Sequence, residues 1–300
     1  MHGVAVGADV GGTTMSVIAS RDGVPGEVHS LPGTTPTIDG VDVAGARIAA
    51  GLVKALRDAA PDALAIGAAG AGRANVSEGL QRAISTEFPR ARVRIVDDAQ
   101  IALRAAVPEG TGVALVAGTG SIAYAEHEGR SFRAGGDGYL IGDEGSGFAL
   151  GRAAAQQLAR YYDERVPRDE LIDALERHLG VTSRAELLQR IYAGERRVAQ
   201  IAELAAVVIE RADAGVRSAN KLVQTSASEL GELVKAVVRQ AGLHNIEFPL
   251  AFSGGILARN SLLTFLLETR LQNDLPNATI LKANVPPYLG ALRIAEGMLS

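Results

Sequence analysis

The chain of 300 residues is long enough for two domains, and its 47% hydrophobic and 21% charged residues give an ordinary globular balance. A formal net charge of -4, with no basic stripe, argues against nucleic acid as a partner. The absence of cysteine excludes disulfides, iron–sulfur clusters and thiolate zinc sites. Because the sequence shows neither a signal peptide nor an apolar run of membrane-spanning length, we expect a cytoplasmic protein that contacts no membrane.

The first third of the chain alternates between strand-like and helix-like segments. Short apolar runs, most of which end in turns that contain glycine, predict strands at 4–10, 14–20, 64–69 and 93–96. Helical periodicity predicts helices at 43–59 and 77–86. This alternation indicates an α/β domain with a largely parallel sheet.

The pattern then begins again. A strand at 112–117, a glycine turn and a strand at 122–126 repeat the arrangement at the start of the chain, which suggests a degenerate internal duplication. Five helical segments follow, at 148–162, 169–179, 184–192, 198–214 and 220–240. The chain ends with a strand at 249–253, a helix at 262–271, a strand at 279–281 and a helix whose first turn holds Pro287.

The turn after the first strand has the composition of a phosphate-binding loop. Glycine lets the backbone approach an anion closely, and its N–H groups can point at that anion. Hydroxyl donors and a carboxylate suited to hydrated Mg²⁺ complete the set, which comprises Asp9, Gly11, Gly12, Thr13 and Thr14. A plain hairpin turn is an equal alternative for this motif taken alone.

A second turn with the same chemistry follows the strand at 112–117. It consists of Gly118, Thr119, Gly120 and Ser121, and a hairpin is again the alternative. Two such turns, each after an apolar strand, favour one polyphosphate held between two domains.

Asp97 and Asp98 follow the strand at 93–96. Carboxylates at the end of a parallel strand lie where α/β proteins bind ligands, and one of them could accept a proton from an attacking hydroxyl. The alternative is helix capping, since Asp is a good N-cap. With two aspartates one can cap while the other reacts, and we choose Asp98 as the base, without excluding Asp97.

Three further glycine-rich segments are candidates for ligand contacts. In the segment 135–146, Asp143 and Glu144 could accept hydrogen bonds from vicinal sugar hydroxyls, whereas a loop capped by Ser146 is the structural alternative. Gly70 and Gly72 could approach a substrate through their backbone or form a tight connection. Gly254 and Gly255 could admit an adenine or ribose, or form a similar turn.

Together these motifs resemble the BadF/BadG/BcrA/BcrD ATPase family, and most closely its N-acetylglucosamine kinase-like branch. The resemblance extends over almost the whole chain, and the segment Gly142-Asp-Glu-Gly-Ser146 is its most specific part. It implies two ribonuclease H-like lobes of the actin-like ATPase type, with mixed central sheets flanked by helices and a ligand cleft between the lobes. The lobes would comprise 1–115 with 286–300, and 116–285 with a helical insertion.

The resemblance also implies roles for individual residues. ATP would be bound by Gly11, Gly12, Thr13, Thr14, Gly118, Thr119, Gly120, Ser121, Gly254 and Gly255. Asp98 would be the catalytic base, and Asp9 and Asp98 would bind Mg²⁺. The sugar would meet Thr35, Gly70, Gly72, Gly136, Asp137, Asp143 and Glu144. A homodimer is implied by the resemblance alone.

Two positions depart from the family pattern. Asp137 stands where animal N-acetylglucosamine kinases have a tryptophan, and Thr35 stands in place of an asparagine. Both positions adjoin the sugar, and an acid at 137 slightly favours the free amine of glucosamine. The lack of cysteine disfavours the family's iron–sulfur activators, and it also disfavours the ROK sugar kinases, which usually carry a cysteine-rich zinc motif.

The hypothesis from sequence is therefore an ATP-dependent kinase for the 6-hydroxyl of N-acetylglucosamine or glucosamine. Three alternatives stay open: a kinase for another sugar such as N-acetylmuramic acid or glucose, a non-catalytic sugar- or nucleotide-binding regulator, and an ATP-driven activator of a partner enzyme.

Overall fold

The computed structural model describes residues 3–57, 59–193, 197–281 and 285–300, and the chain divides into two compact units. Unit 1 comprises Met1–Ala114 and Ala283–Ser300, and unit 2 comprises Leu115–Lys282. Asp58, the penultimate residue of the helix predicted at 43–59, lies outside the described residues.

Unit 1 is built on a five-stranded sheet with helices on both faces. Its strands are β1 (Val4–Val10), β2 (Thr14–Arg21), β3 (Val24–Pro32), β4 (Ala63–Ala68) and β5 (Arg92–Asp97), in the order β3-β2-β1-β4-β5. Its helices are α1 (Pro36–Asp39), α2 (Val41–Leu56), α3 (Ala74–Glu87), α4 (Asp98–Ala106) and, from the C-terminus, α11 (Pro287–Gly297).

The sheet of unit 1 is mixed. β1 pairs with β4 and β4 with β5 in parallel, whereas β1 pairs with β2 and β2 with β3 in antiparallel fashion. The mixed sheet implied by the family resemblance is therefore confirmed, whereas the largely parallel sheet expected from the strand–helix alternation was wrong, because β3 was not recognised. Its residues are mostly exposed, so it lacks the apolar alternation of a half-buried strand.

Each face of this sheet has its own apolar core. Side chains of α2 and α3, such as Ile48, Leu52 and Leu80, pack with Val6 and Ile66 on one face. On the other face Leu292 and Ala295 of α11 pack with Ala5 and Ala65. Burial on both faces explains why β4 reads as a continuous apolar run rather than an alternating one.

Unit 2 repeats the strand order of unit 1. Its strands are β6 (Gly112–Ala117), which begins in unit 1, β7 (Ser121–His127), β8 (Arg130–Gly135), β9 (Phe248–Ser253) and β10 (Ala278–Leu281), in the order β8-β7-β6-β9-β10. Each strand has a counterpart in unit 1, which agrees with the duplication inferred from sequence. Like β3, the partly exposed β8 was not predicted.

Six helices complete unit 2 as described. They are α5 (Gly147–Tyr162), α6 (Glu170–Leu179), α7 (Arg184–Tyr192), α8 (Arg197–Asp213), α9 (Arg217–Ala241) and α10 (Leu262–Asp274). Local signals set several boundaries: Asp169 caps the start of α6, and Gly180 ends it in a left-handed conformation. In the ranges that the structure describes, no helix is long and apolar enough to cross a bilayer.

Candidate active site

Three carboxylates lie at one edge of the unit 1 sheet. Asp9 is the penultimate residue of β1 and is in register with Gly67 of β4. Asp97 ends β5 and is in register with Ala68 of β4. Since β1, β4 and β5 run in parallel, their carboxyl ends meet at this edge, and Asp98 follows as the first residue of α4.

Asp97 has a structural task at this edge. It is the N-cap of α4, and its carboxylate accepts hydrogen bonds from the N–H groups of Ala99 and Gly72, each at 3.1 Å. Capping satisfies a donor that the helix leaves without a partner, and the bond to Gly72 fixes the 70–72 turn beside it. Asp97 therefore acts as the cap, in line with the division of roles expected from sequence.

Asp98 is held in surroundings that favour its protonated form. Burial is the largest cause that raises its pKa well above the ordinary value, followed by the charge of Asp97, a hydrogen bond with Asp97 and the charge of Asp9. Asp98 as a whole residue is half-buried. A carboxylate with raised proton affinity is suited to accept a proton from a hydroxyl.

Asp9 is a second buried acid with a raised pKa. Burial raises its pKa from 3.8 to about 6. A cation would relieve the repulsion between Asp9 and Asp98, so the pair fits a divalent ion. Within the described residues no cluster of three or more His, Cys, Asp or Glu could hold a metal by itself. Mg²⁺ usually takes one or two carboxylates and completes its shell with water and phosphate oxygens.

The first glycine turn is exposed at its tip and supported by the segment that follows β3. The N–H of Gly11 donates to the carbonyl of Thr14 at 3.0 Å, which closes the turn. The N–H groups of Gly33 and Thr34 donate to Thr13 and Gly11 at 2.9 and 3.0 Å. Gly12 and Thr13 are exposed, so the tip can meet a ligand.

Thr35 lies against this turn. A Cβ placed on Gly12 would be 2.8 Å from the Thr35 hydroxyl oxygen, so only glycine leaves room for that contact. Asp39 holds the loop: it accepts hydrogen bonds from the Thr34 hydroxyl at 2.6 Å and the Thr35 N–H at 3.0 Å. These bonds lower the pKa of Asp39, and the bond from Thr34 has the largest effect. Our sequence analysis did not identify Asp39, although an Asp four residues after Thr35 is a recognisable signal.

Gly70 completes the set predicted in unit 1. Its φ of 79° is in the left-handed region, and a Cβ there would be 2.8 Å from the Thr37 methyl group. The 70–72 turn thus lies beside the start of α1 on one side and Asp97 on the other. Within unit 1, Thr35 therefore lies against the first glycine turn, and Gly72 is hydrogen-bonded to Asp97.

The second glycine turn is supported by a helix instead of a hairpin. The N–H of Gly118 donates to the carbonyl of Gly120 at 2.9 Å. At the start of α5, the N–H groups of Gly147 and Phe148 donate to the carbonyls of Gly118 and Thr119 at 2.8 and 3.1 Å. Thr119 is exposed at the tip. Ser146 is the N-cap of α5, as expected, and accepts from Ala149 N–H at 3.2 Å.

Ser121 is turned inward. It is only 3% exposed, its hydroxyl donates to the carbonyl of Glu144 at 2.7 Å, and its N–H donates to Asp143 at 3.3 Å. Both of its donors are therefore used within unit 2. The exposed Thr119 is better placed to meet a phosphate.

Gly254 brings a third turn of unit 2 against the second glycine turn. Its φ is 97°, and a Cβ there would lie 2.3 Å from the carbonyl oxygen of Ala117. The N–H of Ile256 donates to the same carbonyl at 3.3 Å. A Cβ on Gly118 would be 4.0 Å from the N–H nitrogen of Gly255, so the two turns are direct neighbours.

The predicted sugar-side residues of unit 2 also adjoin the second turn. The N–H of Gly136 donates to the carbonyl of Ser121 at 2.9 Å. Asp137 is exposed and forms a 3.6 Å ion pair with Arg133, whose guanidinium also donates to the carbonyls of Gly135 and Gly136. Arg133 was not identified from sequence. Glu144 is exposed, and Asp143 is partly buried.

The model of the BadF/BadG/BcrA/BcrD ATPase family matches residues 6–295. An N-acetylmuramic acid/N-acetylglucosamine kinase of Clostridium acetobutylicum is 31% identical over 235 residues, which cover 78% of this chain and 77% of that protein. An N-acetyl-D-glucosamine kinase of Dictyostelium discoideum is 32% identical over 187 residues, or 61% of this chain and 59% of that protein.

Solved structures agree on the architecture. A candidate N-acetylglucosamine kinase from Chromobacterium violaceum has a TM-score of 0.76 at 26% identity, over 97% of this chain and 98% of that one. A ROK family glucokinase from Streptomyces griseus, in complex with glucose and AMPPNP, has a TM-score of 0.61 at 18% identity over 98% of both chains. The latter likeness shows a shared fold alone. The fold is therefore the two-lobe actin-like one, and the chain belongs to the BadF/BadG/BcrA/BcrD ATPase family.

Proposed function

We propose that this protein is an ATP-dependent sugar kinase that phosphorylates the 6-hydroxyl of N-acetylglucosamine or glucosamine. The observation that carries the proposal is Asp98, a carboxyl group at the carboxyl ends of β1, β4 and β5 whose pKa is raised by burial and by two neighbouring aspartates. The names of the Clostridium and Dictyostelium relatives support an amino-sugar acceptor. The raised proton affinity suits the removal of a proton from a sugar alcohol.

In the proposed reaction Asp98 orients the sugar hydroxyl and accepts its proton. The hydroxyl oxygen attacks the γ-phosphorus of ATP, the bond from that phosphorus to the β–γ bridging oxygen breaks, and ADP leaves. Phosphoryl transfer depends mainly on positioning and charge neutralisation, so the protein supplies donors rather than covalent chemistry. Mg²⁺ bound near Asp9 and Asp98 would neutralise charge on the phosphates.

The remaining residues have binding tasks in this proposal. Gly11, Gly12, Thr13 and Thr14 of unit 1, and Gly118, Thr119 and Gly120 of unit 2, bind the ATP phosphates through backbone N–H groups and hydroxyls. Ser121 supports the second turn from inside. Gly254 and Gly255 line the adenosine site. Thr35, Gly70, Gly72, Gly136, Asp137 and Glu144 are the sugar-side set, and a homodimer and a cytoplasmic location stay predictions.

A panel of acceptors tests the proposal. ADP release and sugar phosphate formation would be measured with glucosamine, N-acetylglucosamine, N-acetylmuramic acid, glucose and N-acetylmannosamine, each with Mg·ATP. We expect stoichiometric ADP and sugar 6-phosphate with one or both of the first two sugars. Sugar-independent ATP hydrolysis, or sugar binding without turnover, would reject the kinase and favour an activator or a regulator.

A preference for N-acetylmuramic acid or glucose would keep the reaction class and change the substrate. Asp137 makes the comparison of glucosamine with N-acetylglucosamine informative. If its carboxylate meets the 2-amino group, Asp137→Asn should raise the KM for glucosamine more than the KM for N-acetylglucosamine, because only the free amine is charged.

A further inference from the structure

One short segment of unit 1 adjoins two of the turns that the proposed function assigns to ligands. This segment, 34–39, lies between β3 and α2. The hydroxyl oxygen of Thr35 is 2.8 Å from the place that a Cβ on Gly12 would occupy. The methyl group of Thr37 is 2.8 Å from the corresponding place on Gly70. A movement of the segment would therefore change the surroundings of both turns together.

Asp39 holds the 34–39 segment through one oxygen atom. Its Oδ2 accepts the hydroxyl of Thr34 at 2.6 Å and the N–H of Thr35 at 3.0 Å, and it pairs with the guanidinium of Arg47 at 3.1 Å. Thr34 is only 2% exposed, so loss of the carboxylate would take the acceptor from a buried hydroxyl, which is costly. Three donors thus converge on Asp39 and fix the backbone at Thr35.

We propose that Asp39 is a positioning residue for the sugar, and that it acts without touching the sugar, by holding Thr35 and the neighbouring Thr37 in place before the sugar arrives. This role rests on the proposed function, because it requires Thr35 and Gly70 to face the sugar. Asp39 lies outside the set of residues that the family resemblance implies for either ligand.

The physical reason is preorganisation of the segment. A ligand that must order a loop loses affinity to that ordering, whereas a loop fixed in advance costs the ligand little. Asp39 supplies this restraint at the end of the segment. The start of the segment is held differently, because the N–H groups of Gly33 and Thr34 donate to the first glycine turn without involving Asp39. Loss of Asp39 should therefore weaken sugar binding more than ATP binding.

Two substitutions of Asp39 test the role. Asp39→Ala removes the acceptor, and the Kd of N-acetylglucosamine, titrated calorimetrically without nucleotide, should rise at least about tenfold, the cost of ordering one backbone residue. Asp39→Asn keeps an acceptor oxygen and loses only the charge of an exposed ion pair, so that Kd should stay within about threefold. The Kd of Mg·ATP should stay within about threefold in both variants.

Steady-state kinetics separate positioning from a general loss of folded protein. In Asp39→Ala the KM of the sugar should rise about tenfold, whereas kcat and the KM of ATP should stay within about threefold. Partial unfolding would instead lower kcat with the fraction of active protein and leave the KM of both substrates unchanged. That second pattern, or a larger rise in the KM of ATP than in the KM of the sugar, would overturn the proposal.

Glu186 in unit 2 provides a matched control. Like Asp39 it is an acid that accepts a backbone N–H and a threonine hydroxyl, both from Thr182, at 2.7 and 3.2 Å. It lies in α7, which carries none of the residues assigned to a ligand. Glu186→Ala removes the same two kinds of hydrogen bond and should leave the Kd of the sugar unchanged. Equal weakening of sugar binding in Glu186→Ala and Asp39→Ala would contradict the role.

A second variant decides the matter if Asp39→Ala does not fold. Thr34→Val removes the hydroxyl that donates to Asp39 and keeps the carboxylate, so the Kd of the sugar should rise about threefold. In the ligand-free protein, the amide of Thr35 should exchange its hydrogen for deuterium faster in Thr34→Val than in wild type, and in Asp39→Asn at nearly the wild-type rate, as measured by NMR. Unchanged exchange and unchanged sugar affinity in Thr34→Val would refute the role of Asp39.

Failure of the proposed function gives a different result. If wild type binds and phosphorylates a sugar and Asp39→Ala binds that sugar equally well, the kinase stands and the role of Asp39 fails. If wild type neither binds nor phosphorylates any sugar of the panel, the proposed function fails and the role of Asp39 fails with it.

Discussion

The two glycine turns begin from the same pattern and are held by different means. In unit 1 the turn at 11–14 is supported by the backbone of the segment that follows β3, through Gly33 and Thr34. In unit 2 the turn at 118–121 is supported by the first N–H groups of α5 and by Asp143. A duplicated strand order therefore fixes where the turns occur, and each unit's later elements decide how rigid they are.

The acidic residues at strand ends are also distributed unequally between the two units. β1 carries Asp9 two residues before its glycine turn, whereas β6 carries Val116 at the corresponding place. Asp97 and Asp98 follow the outer strand of unit 1, so the described acids with raised pKa at a strand end belong to unit 1. Under the proposed function, this difference would place the base and the cation in unit 1 and leave the second turn to neutral donors.

The largest expected effect is at Asp98. Asp98→Asn should lower kcat by about 10²- to 10⁴-fold, the usual contribution of a general base, and leave the Kd of ATP within about threefold. Rapid-quench measurement of sugar phosphate checks kcat, and calorimetry checks ATP binding. Asp163→Asn, at the opposite end of α5 from the second glycine turn, is the control and should retain full activity. Turnover near wild type in Asp98→Asn would remove Asp98 from the mechanism.

The second prediction concerns the stability cost of Asp9. Its pKa is about 6 in the folded protein against 3.8 ordinarily, so folding favours its protonated form. The stabilising contribution of protonated Asp9 is fully present below pH 3.8 and is lost as the pH rises through about 6. Asp9→Asn should therefore be more stable than wild type by about 2 to 3 kcal/mol at pH 7.5 without Mg²⁺ and nucleotide.

Urea melts of both proteins between pH 5 and 8 measure this difference. It should grow up to about pH 7 and then level off, and Mg²⁺ should reduce it by stabilising wild type alone. Activity should fall in Asp9→Asn, so that stability and function change in opposite directions. A difference that does not vary with pH would show that Asp9 is ionised without penalty.

The exposed threonines test whether both turns act on phosphate. Thr13→Ala and Thr119→Ala should each raise the KM of ATP by about 10- to 100-fold, the loss of one hydrogen bond to a charged group. The KM of the sugar should change little in either. An effect from one variant only would mean that the other turn is a plain hairpin, the alternative that the sequence left open.

Ser146→Ala sharpens the contrast in how the turns are held. Loss of this N-cap should cost about 1 kcal/mol of stability and loosen the first turn of α5, which supports Gly118 and Thr119. The KM of ATP should rise by about threefold or less when this turn is loosened. Asp169→Ala removes the N-cap of α6 and should cost similar stability with no change in that KM.

The smallest expected effect is a displaced pH profile. The charge of Asp97 helps raise the pKa of Asp98, so Asp97→Asn should move the acid limb of kcat/KM to lower pH. Asparagine can still cap α4, which keeps the helix in place. An unmoved acid limb would mean that another group sets it.

Much of the fold follows from the sequence. Apolar runs, several of them ending in glycine, predicted eight of the strands, because a run buried on both faces or alternating on one leaves a clear pattern. β3 and β8 escaped because their residues are largely exposed and their pairing depends on the neighbouring strand. The N-cap roles of Asp97 and Ser146 were likewise readable, since capping is a local interaction.

What the sequence alone determined is the set of reactive residue types and their order: two glycine turns, an aspartate pair after a strand, and an acid-rich loop. Tertiary structure decided which of them are presented and which are used internally. The inward donors of Ser121 and the place of Asp143 beside Gly120 arise from residues distant in sequence, and the raised pKa of Asp98 arises chiefly from burial. Burial and hydrogen-bond partners are properties of the folded surroundings, so no local pattern could reveal them.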